Sequence, residues 1–217
     1  MSSEINYNAI RGYISQAGLE GEVQNIGHVP PDPEDNSGVT IGVGFDLGQH
    51  NKQDLINMGF STGMIQKLSP YLGKKGQAAR DANSGKNKLV LGHESRELQE
   101  TIMNPIKFYI DKVSSKYDEA TGVAGDFGSL EPAIQGTVFS VLYQHGMTNP
   151  SKSTPKFWKH AVNKDWSGLV NELEKGKWGE GDHRRRKLEA SNLRRSPALI
   201  NQSIIDQDGP NIGGIYK

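Results

Sequence analysis

The sequence predicts an α+β fold, in which a small mixed lobe with a β-hairpin is joined by a long helix to a mostly helical lobe. Three observations support this prediction. Residues 37–49 read SGVTIGVGFDLGQ, a β-branched and glycine-rich stretch typical of a short strand that reverses. Residues 93–117 carry an apolar face long enough for an extended helix, and the C-terminal half is helical by its caps and periodicity. With 217 residues, the chain can form one core or one core split across two lobes.

The N-terminal part contains one amphipathic helix, a loop, a strand and two short helices. The helix is predicted by apolar residues at three- and four-residue spacing, namely Ile5, Ala9, Ile10, Tyr13, Ile14 and Ala17. Residues 22–36 include PPDPEDN and are too rich in proline and acid for a regular element. We expect an exposed loop there, leading into a strand at 39–43. Short helices are expected at 53–58 and 61–68.

The rest of the chain is predicted to be helical after one irregular stretch. Residues 73–88, rich in Lys, Gly, Asn and Ser, are predicted to be flexible. The following long helix contains Pro105, which is expected to kink or divide it. Further helices are predicted to begin at capping residues, Ser129, Thr154, Asp165 and Asp182. We interpret residues 1–217 as a single domain, with a mixed lobe at 1–92 and a helical lobe at 93–217.

Composition and charge exclude several classes of protein. Lys plus Arg and Asp plus Glu number 25 each, and this zero net charge argues against a nucleic-acid binder. The chain has no cysteine, which excludes disulfides and thiolate metal sites. The N-terminus lacks the basic and apolar regions of a Sec signal, and no apolar run is long enough to span a membrane. We therefore expect a protein made in the cytoplasm without a Sec signal and without membrane insertion.

No pattern indicates a metal or a cofactor. The histidines show no HExxH or other close ligand pairing. Residues 32–43 lack the glycine and the bidentate glutamate that a calcium loop needs at fixed positions. The glycines near residue 44 do not follow the GxGxxG spacing of a dinucleotide site. We expect no metal and no cofactor.

Thr40 and Asp46 are the first candidate functional residues. In a straight strand they would lie about 20 Å apart and could not act on one bond. Gly42 and Gly44 permit backbone angles that other residues avoid, so the chain can reverse and place the hydroxyl beside the carboxylate. The alternative is a structural hairpin with a solvated aspartate at its end.

Glu20 is the candidate for a second carboxylate. It follows Leu19 at the predicted end of the first helix, and a carboxylate against apolar surface has a raised pKa. An acid of raised pKa facing a carboxylate that stays ionised is the arrangement that hydrolyses glycosidic bonds. The glutamate protonates the leaving oxygen, the aspartate stabilises positive charge or activates water, and the threonine orients the water. Glu22 is the alternative for the acid.

At these residues the sequence resembles phage-type lysozymes, and more closely the pesticin-like muramidase domains of bacteriocins and related lysins. Glu-Gly followed by Thr-Ile-Gly-x-Gly carries the resemblance to phage-type lysozymes. GHVP at 27–30 followed by the specific string SGVTIGVGFDLGQ at 37–49 carries the closer one, which extends over about residues 5–195. Weaker similarities are LSPYLGKKGQAA at 68–79, LYQHG at 142–146 and RRRKLEA at 184–190.

The resemblance implies a role for each matching residue. It places the general acid at Glu20, the family's threonine at Thr40 and its second carboxylate at Asp46. In ordinary phage lysozymes the second carboxylate precedes the threonine by six residues, which points to Glu34 as the alternative to Asp46. The family usually has tyrosine where His28 stands.

Further residues are candidates for substrate contact. We expect Gln144 and His145, at the end of a helix, to contact sugar hydroxyls, and we include His28 with them. In RRRKLEA, the arginines are expected to be solvated or paired with core carboxylates, or one of 184–186 to pair with Glu20.

The resemblance implies a peptidoglycan hydrolase that cleaves the β-1,4 bond between N-acetylmuramic acid and N-acetylglucosamine and lyses bacteria. The alternatives are a non-catalytic peptidoglycan-binding module and a cytosolic structural protein with a coincidental hairpin. The expected partners are peptidoglycan glycan strands and either an immunity protein or a secretion machinery, and the expected state is a monomer. It would act in the periplasm or cell wall after holin release, effector delivery or toxin import, among which the sequence does not decide.

Overall fold

The computed structural model describes residues 5–15, 23–30, 36–178 and 182–201. The chain forms two compact units, one of Met1–Ile14 with Lys112–Lys217 and one of Ser15–Asp111. Helices and a small antiparallel sheet make up the described residues, so the predicted α+β class is confirmed. The predicted lobe boundary at residues 92 and 93 stays a prediction.

The secondary structure consists of short strands and mostly short helices. The strands are β1 (Gln24–His28), β2 (Thr40–Gly42) and β3 (Phe45–Asp46). The helices are α1 (Tyr7–Ile14), α2 (Lys52–Asn57), α3 (Thr62–Leu68), α4 (Gly76–Ala82), α5 (Arg96–Thr121), α6 (Asp126–Ser129), α7 (Pro132–His145), α8 (Pro150–Ser153), α9 (Pro155–Val162), α10 (Trp166–Lys175) and α11 (Asp182–Arg194). Single 3₁₀ turns are formed by Leu47–Gln49, Ser69–Tyr71 and Gly85–Asn87.

The unit of residues 15–111 contains the sheet, in which β2 lies between β1 and β3 and both pairings are antiparallel. Alternate residues of β2 face the core, so Ile41 is fully buried while Thr40 is half-buried. Two helices of this unit start at side-chain caps. Asn51 and Asp54 form a reciprocal capping box at α2, and Ser61 caps α3.

The segment 73–88, predicted to be flexible, contains α4 instead. The reason is a set of hydrogen bonds around Asn83, at the end of this helix. Its Nδ2 donates to the Gly27 carbonyl at 2.7 Å, and its Oδ1 accepts from the Leu89 amide at 2.8 Å. Tyr71 Oη donates to the Asn87 carbonyl at 2.7 Å. These long-range bonds hold a sequence whose local composition indicates a loop.

Helix α5 is continuous through Pro105, so this proline does not divide the helix, and the other expected effect, a kink, stays a prediction. A proline inside a helix removes one hydrogen-bond donor and disfavours the preceding turn. Burial compensates for this cost, because apolar side chains at helical spacing along α5 are almost fully buried: Leu98, Ile102, Ile106, Ile110, Val113 and Tyr117.

The described residues of the unit formed by 1–14 and 112–217 are mostly helical. Helix α1 packs against α7, and α10 packs against α9 and α11. Gly136 allows α1 and α7 to pack closely, since a Cβ at this position would lie 2.6 Å from the Tyr13 ring. Tyr13 Oη and Thr137 Oγ1 are 2.7 Å apart in this contact. None of the helices described is both long and apolar enough to cross a membrane.

Candidate active site

The stretch with the two glycines reverses as predicted. Thr40 at the start of β2 pairs with Asp46 at the end of β3. The reversal uses left-handed backbone at two positions, with φ of 67° at Gly42 and 72° at Gly44. A side chain would strain the backbone at either position. The hairpin thus brings together the two residues that a straight strand would separate.

A third predicted residue lies in the same row of the sheet. On the other side of β2, His28 in β1 pairs with Thr40. Directly opposed residues of antiparallel strands point to one face, with Cβ atoms about 4.5–5.5 Å apart. His28, Thr40 and Asp46 therefore form a cross-sheet row on one face of the hairpin. His28 is exposed, and the other two are half-buried.

The carboxylate of Asp46 is held in place by the loops around it. Its Oδ1 accepts hydrogen bonds from the Gly38 amide at 3.0 Å and from the Gly48 amide at 2.8 Å. The second bond makes Asp46 the N-cap of the 3₁₀ turn Leu47–Gln49. A Cβ on Gly38 would lie 2.3 Å from this oxygen. The glycine is needed because the carboxylate fills the space where a side chain would be.

The second oxygen of Asp46 has one polar neighbour among the residues described. Gln49 Nε2 donates to Oδ2 at 3.3 Å, and Lys75 Nζ donates to Gln49 Oε1 at 2.9 Å. The predicted solvated aspartate is therefore only partly correct. The side chain is a structural cap through Oδ1, while Oδ2 is the oxygen with room for another partner.

The Thr40 hydroxyl makes no hydrogen bond to any residue described by the structure. A half-buried hydroxyl beside a fixed carboxylate can accept or donate to a water molecule. Thr40 and Asp46, as cross-strand partners, thus bring a hydroxyl and a carboxylate to the same end of the hairpin.

Three predicted carboxylates, those of Glu20, its alternative Glu22, and Glu34, lie outside the described residues. The choice between Asp46 and Glu34, and the role of Glu20, stay predictions.

Gln144 and His145 lie at the C-terminal end of α7, in the helical unit. Arg186 Nη2 donates to Gln144 Oε1 at 2.7 Å, which turns the amide NH₂ of Gln144 away from the arginine. The His145 ring lies 5.2 Å from the Trp178 ring, and the Arg186 guanidinium lies 5.1 Å from the centre of that indole. Trp178 was not predicted from the sequence, because a single tryptophan after a helix belongs to no periodic pattern or motif that would indicate its contacts with His145 and Arg186.

Arg186 belongs to a buried ionic network in this unit. Arg186 and Glu189 are both fully buried, and Arg186 Nε lies 2.9 Å from Glu189 Oε2. Ser140 Oγ donates to Glu189 Oε1 at 2.6 Å, and Arg185 Nε lies 3.4 Å from the same oxygen. Burial raises the pKa of Glu189, and the two arginines oppose this effect. The expected pairing of an arginine with a core carboxylate is confirmed for Glu189; pairing with Glu20 stays a prediction.

Within the described ranges, no group of three or more His, Asp or Glu side chains could hold a metal ion. The row His28, Thr40 and Asp46 brings together one histidine, one hydroxyl and one carboxylate. Its chemistry is that of hydrogen bonding and charge stabilisation.

A comparison with curated proteins gives no match. The family model named Pesticin, described as "Bacterial toxin homologue of phage lysozyme, C-term", matches residues 11–167. This region is well over half of the chain and includes Thr40 and Asp46. The fold is lysozyme-like, the activity of the family is that of a lysozyme-type muramidase, and the chain belongs to this pesticin family of phage lysozyme homologues.

Proposed function

We propose that the protein hydrolyses the β-1,4 bond between N-acetylmuramic acid and N-acetylglucosamine in peptidoglycan, without a cofactor. The observation that carries the proposal is the cross-strand pair of Thr40 and Asp46 in a chain of this family. In the proposed mechanism Glu20 is the general acid, Asp46 is the second carboxylate, and Thr40 orients water.

Asp46 would stabilise the positive charge that develops on the sugar. Hydrolysis of a glycosidic bond passes through an oxocarbenium-like transition state, and a nearby carboxylate stabilises it. The bonds from Gly38 and Gly48 fix the orientation of the Asp46 carboxylate before substrate binds. A charge that is already oriented needs no reorganisation during the reaction, which is the main source of electrostatic catalysis.

Thr40 would hold the attacking water. Its hydroxyl lies across the hairpin from Asp46 and has no hydrogen-bond partner among the residues that are described. A water held by this hydroxyl and by Asp46 Oδ2 has two polar partners, which suffices to order it.

Glu20 would protonate the leaving oxygen. The argument comes from its neighbour Leu19, whose apolar side chain is expected to disfavour the ionised form of the carboxyl group. An acid that keeps its proton near neutral pH can donate it as the bond breaks.

Sugar contacts are proposed for His28, Gln144 and His145. His28 extends the row that contains Thr40 and Asp46. Gln144, whose Oε1 accepts a hydrogen bond from Arg186 Nη2, carries an amide group of the kind that hydrogen-bonds to sugar hydroxyls. His145 beside Trp178 provides an aromatic surface of the kind that sugars pack against.

The site of action would be peptidoglycan in the periplasm or cell wall, and the consequence would be bacterial lysis. A monomer reaching the wall by holin release, effector delivery or toxin import fits this activity. An immunity protein in the producing cell would be a natural partner of such an enzyme.

The test is digestion of purified peptidoglycan by the wild type and by Glu20→Gln. The wild type should release fragments whose reducing end is N-acetylmuramic acid, identified by mass spectrometry after borohydride reduction. Glu20→Gln should lose at least about a hundredfold of this activity. Glu119→Gln, at an exposed pair with Lys116, is the matched control and should keep full activity.

Other outcomes would assign the chain differently. Full activity of Glu20→Gln with an inactive Glu22→Gln would move the acid to Glu22. Wall binding by a wild type that releases no fragments would show a binding module. A wild type that neither binds the wall nor releases fragments would indicate a structural protein with a coincidental hairpin.

A further inference from the structure

A cavity lined by lysines lies in the unit of residues 15–111. Its lining residues come from a later segment of the sequence than the row of His28, Thr40 and Asp46. It has a volume of about 450 Å³ and is lined by Pro70, Tyr71, Lys74, Ala82, Lys86, Asn87 and Lys88. Pockets for small molecules span roughly 300–1,000 Å³. The cavity is therefore larger than a bare inorganic anion requires.

The charged residues that line this cavity are all positive. Three of its lining residues, Lys74, Lys86 and Lys88, are cationic, and none is acidic. Burial raises the pKa of the Tyr71 phenol, so it stays neutral near pH 7 and adds no negative charge. Three other surface cavities in the described part of the chain each contain a glutamate beside their cations: Glu119, Glu172 and Glu174.

The side chains of these three lysines have no ionic or hydrogen-bond partner in the described part of the chain. By contrast, Lys75 donates to Gln49, and Lys67 pairs with Glu97. Residues 69–88 contain five cationic residues and one acid, although the whole chain has no net charge. Like charges gathered without counter-charges repel one another, so a bound anion would relieve the repulsion.

The walls of the cavity are held by the backbone. Tyr71 Oη donates to the Asn87 carbonyl at 2.7 Å, between the two lysines 86 and 88. Amides of Asn87 and Lys88 close the 3₁₀ turn by donating to the carbonyls of Ser84 and Gly85. The positions from which the lysines extend are thus fixed before any ligand binds, which lowers the entropic cost of binding.

We propose that this cavity binds a sugar phosphate, with the phosphate group between the lysines and the sugar along the wall of Pro70, Tyr71 and Ala82. A phosphate carries more than one negative charge near neutral pH and accepts several hydrogen bonds, which suits three ammonium groups better than a carboxylate does. The cavity volume of about 450 Å³ accommodates a phosphate group together with one sugar ring. This site is independent of the proposed hydrolysis and goes beyond it.

The experiment is calorimetric titration of the full chain with N-acetylglucosamine 6-phosphate. One molecule should bind per chain, and the uncharged sugar N-acetylglucosamine should not bind at this site. The double variant Lys86→Ala/Lys88→Ala should lose affinity by about 25-fold or more. This is about fivefold per charge, the factor for about 1 kcal/mol of Coulomb attraction. Raising the ionic strength from about 0.05 to about 0.5 M should weaken wild-type binding.

The matched control is Lys159→Ala/Lys187→Ala, which removes two exposed lysines from helices of the other unit. It should bind the sugar phosphate as the wild type does, and thermal unfolding should show both double variants folded. Inorganic phosphate and vesicles of an anionic phospholipid complete the series. The proposal is overturned if the Lys86/Lys88 variant binds as tightly as the wild type, if the uncharged sugar binds equally well, or if vesicles bind and the sugar phosphate does not. Loss of hydrolysis in an otherwise binding-competent chain would leave this site intact and would affect the proposed function alone.

Discussion

Asp46 can be tested for catalysis separately from its structural role, because its two oxygens have different partners. Oδ1 holds the amides of Gly38 and Gly48, and Oδ2 has Gln49 as its neighbour. Asp46→Asn keeps an oxygen that can occupy the Oδ1 position and removes the negative charge. Asp46→Ala removes both the accepting oxygen and the negative charge.

The expected losses of stability follow from these bonds. Asp46→Ala deletes an N-cap worth about 1 kcal/mol and leaves two amides without their acceptor, so the free energy of unfolding should fall by about 2–4 kcal/mol. For a chain of this size that corresponds to a decrease of roughly 5–15 °C in melting temperature. Asp46→Asn keeps the cap and should cost about 1 kcal/mol or less, because its NH₂ group meets the donor Nε2 of Gln49.

The expected losses of activity are different. If Asp46 faces the developing positive charge, Asp46→Asn should lower turnover by about a hundredfold or more while wall binding persists. Turnover is measured as fragment release from purified peptidoglycan, and binding by co-sedimentation with the wall. Asp165→Asn is the matched control. Asp165 is also an N-cap, with Oδ1 bonded to the Gly168 amide at 2.9 Å and Oδ2 2.7 Å from His160 Nδ1.

Asp165→Asn should cost at least as much stability as Asp46→Asn, since it also loses the pair with His160, and should keep wild-type turnover. The reasoning is refuted if Asp46→Asn digests peptidoglycan at the wild-type rate. Asp46 would then be a structural cap alone, and Glu34 would be the next candidate for the second carboxylate.

Three further predictions concern the threonine, the hairpin and the buried network. Thr40→Ser should keep partial turnover and Thr40→Ala should lose most of it, measured by fragment release; equal rates would exclude water positioning by the hydroxyl. Gly42→Ala should destabilise the chain by more than the about 1 kcal/mol expected for Gly59→Ala, in thermal unfolding. Both glycines have positive φ, but an added Cβ meets a backbone oxygen at 3.1 Å at Gly42 and open space at Gly59. Glu189→Gln should cost about 3–5 kcal/mol in urea unfolding, because this carboxylate is fully buried with its arginines. Glu174→Gln should cost less than about 1 kcal/mol, because this carboxylate is partly solvated and pairs with one half-exposed arginine. Equal losses would contradict the importance of burial.

The hairpin could be predicted from sequence because its cause is local. Gly42 and Gly44 allow positive φ, and the reversal follows from two residues that adopt it. Helix caps are local as well, which is why the start of α10 was predicted from its N-cap Asp165. The expected cap Ser129 is wrong, because Ser129 ends α6 and α7 begins at Pro132 after Glu131. Features decided within a few residues of the chain are those that a single sequence reveals.

Features decided by distant residues could not be predicted. The ordering of 73–88 depends on bonds from Asn83 to Gly27 and Leu89. The burial of Arg186 depends in part on Gln144, which comes from another helix, although its ionic partner Glu189 lies three residues later in α11. An arginine in a basic run is usually solvated, and the run does not show which of its arginines is buried against the carboxylate.

The cap at Asp46 lies between these two cases. Its bond to Gly48 is local, and an aspartate followed by glycine two positions later is a recognisable capping pattern. Its bond to Gly38 crosses the hairpin and becomes visible in three dimensions. The sequence pattern therefore suggested an aspartate brought back beside Thr40, and the structure adds that its carboxylate is anchored there by two glycine amides.

This anchoring changes what the catalytic hypothesis requires of Asp46. A mobile surface aspartate would have to be oriented and partly desolvated each time it approached the sugar. An anchored carboxylate is already oriented and partly desolvated in the folded protein. The same bonds that make Asp46 a structural residue therefore make its Oδ2 a better electrostatic partner for a transition state. Structural and catalytic roles are compatible at this position, and loss of stability in Asp46→Ala is no evidence for either of them alone. The charge itself is the variable that separates them, which is why the asparagine variant and its Asp165→Asn control, rather than the alanine variant, decide the function of the hairpin.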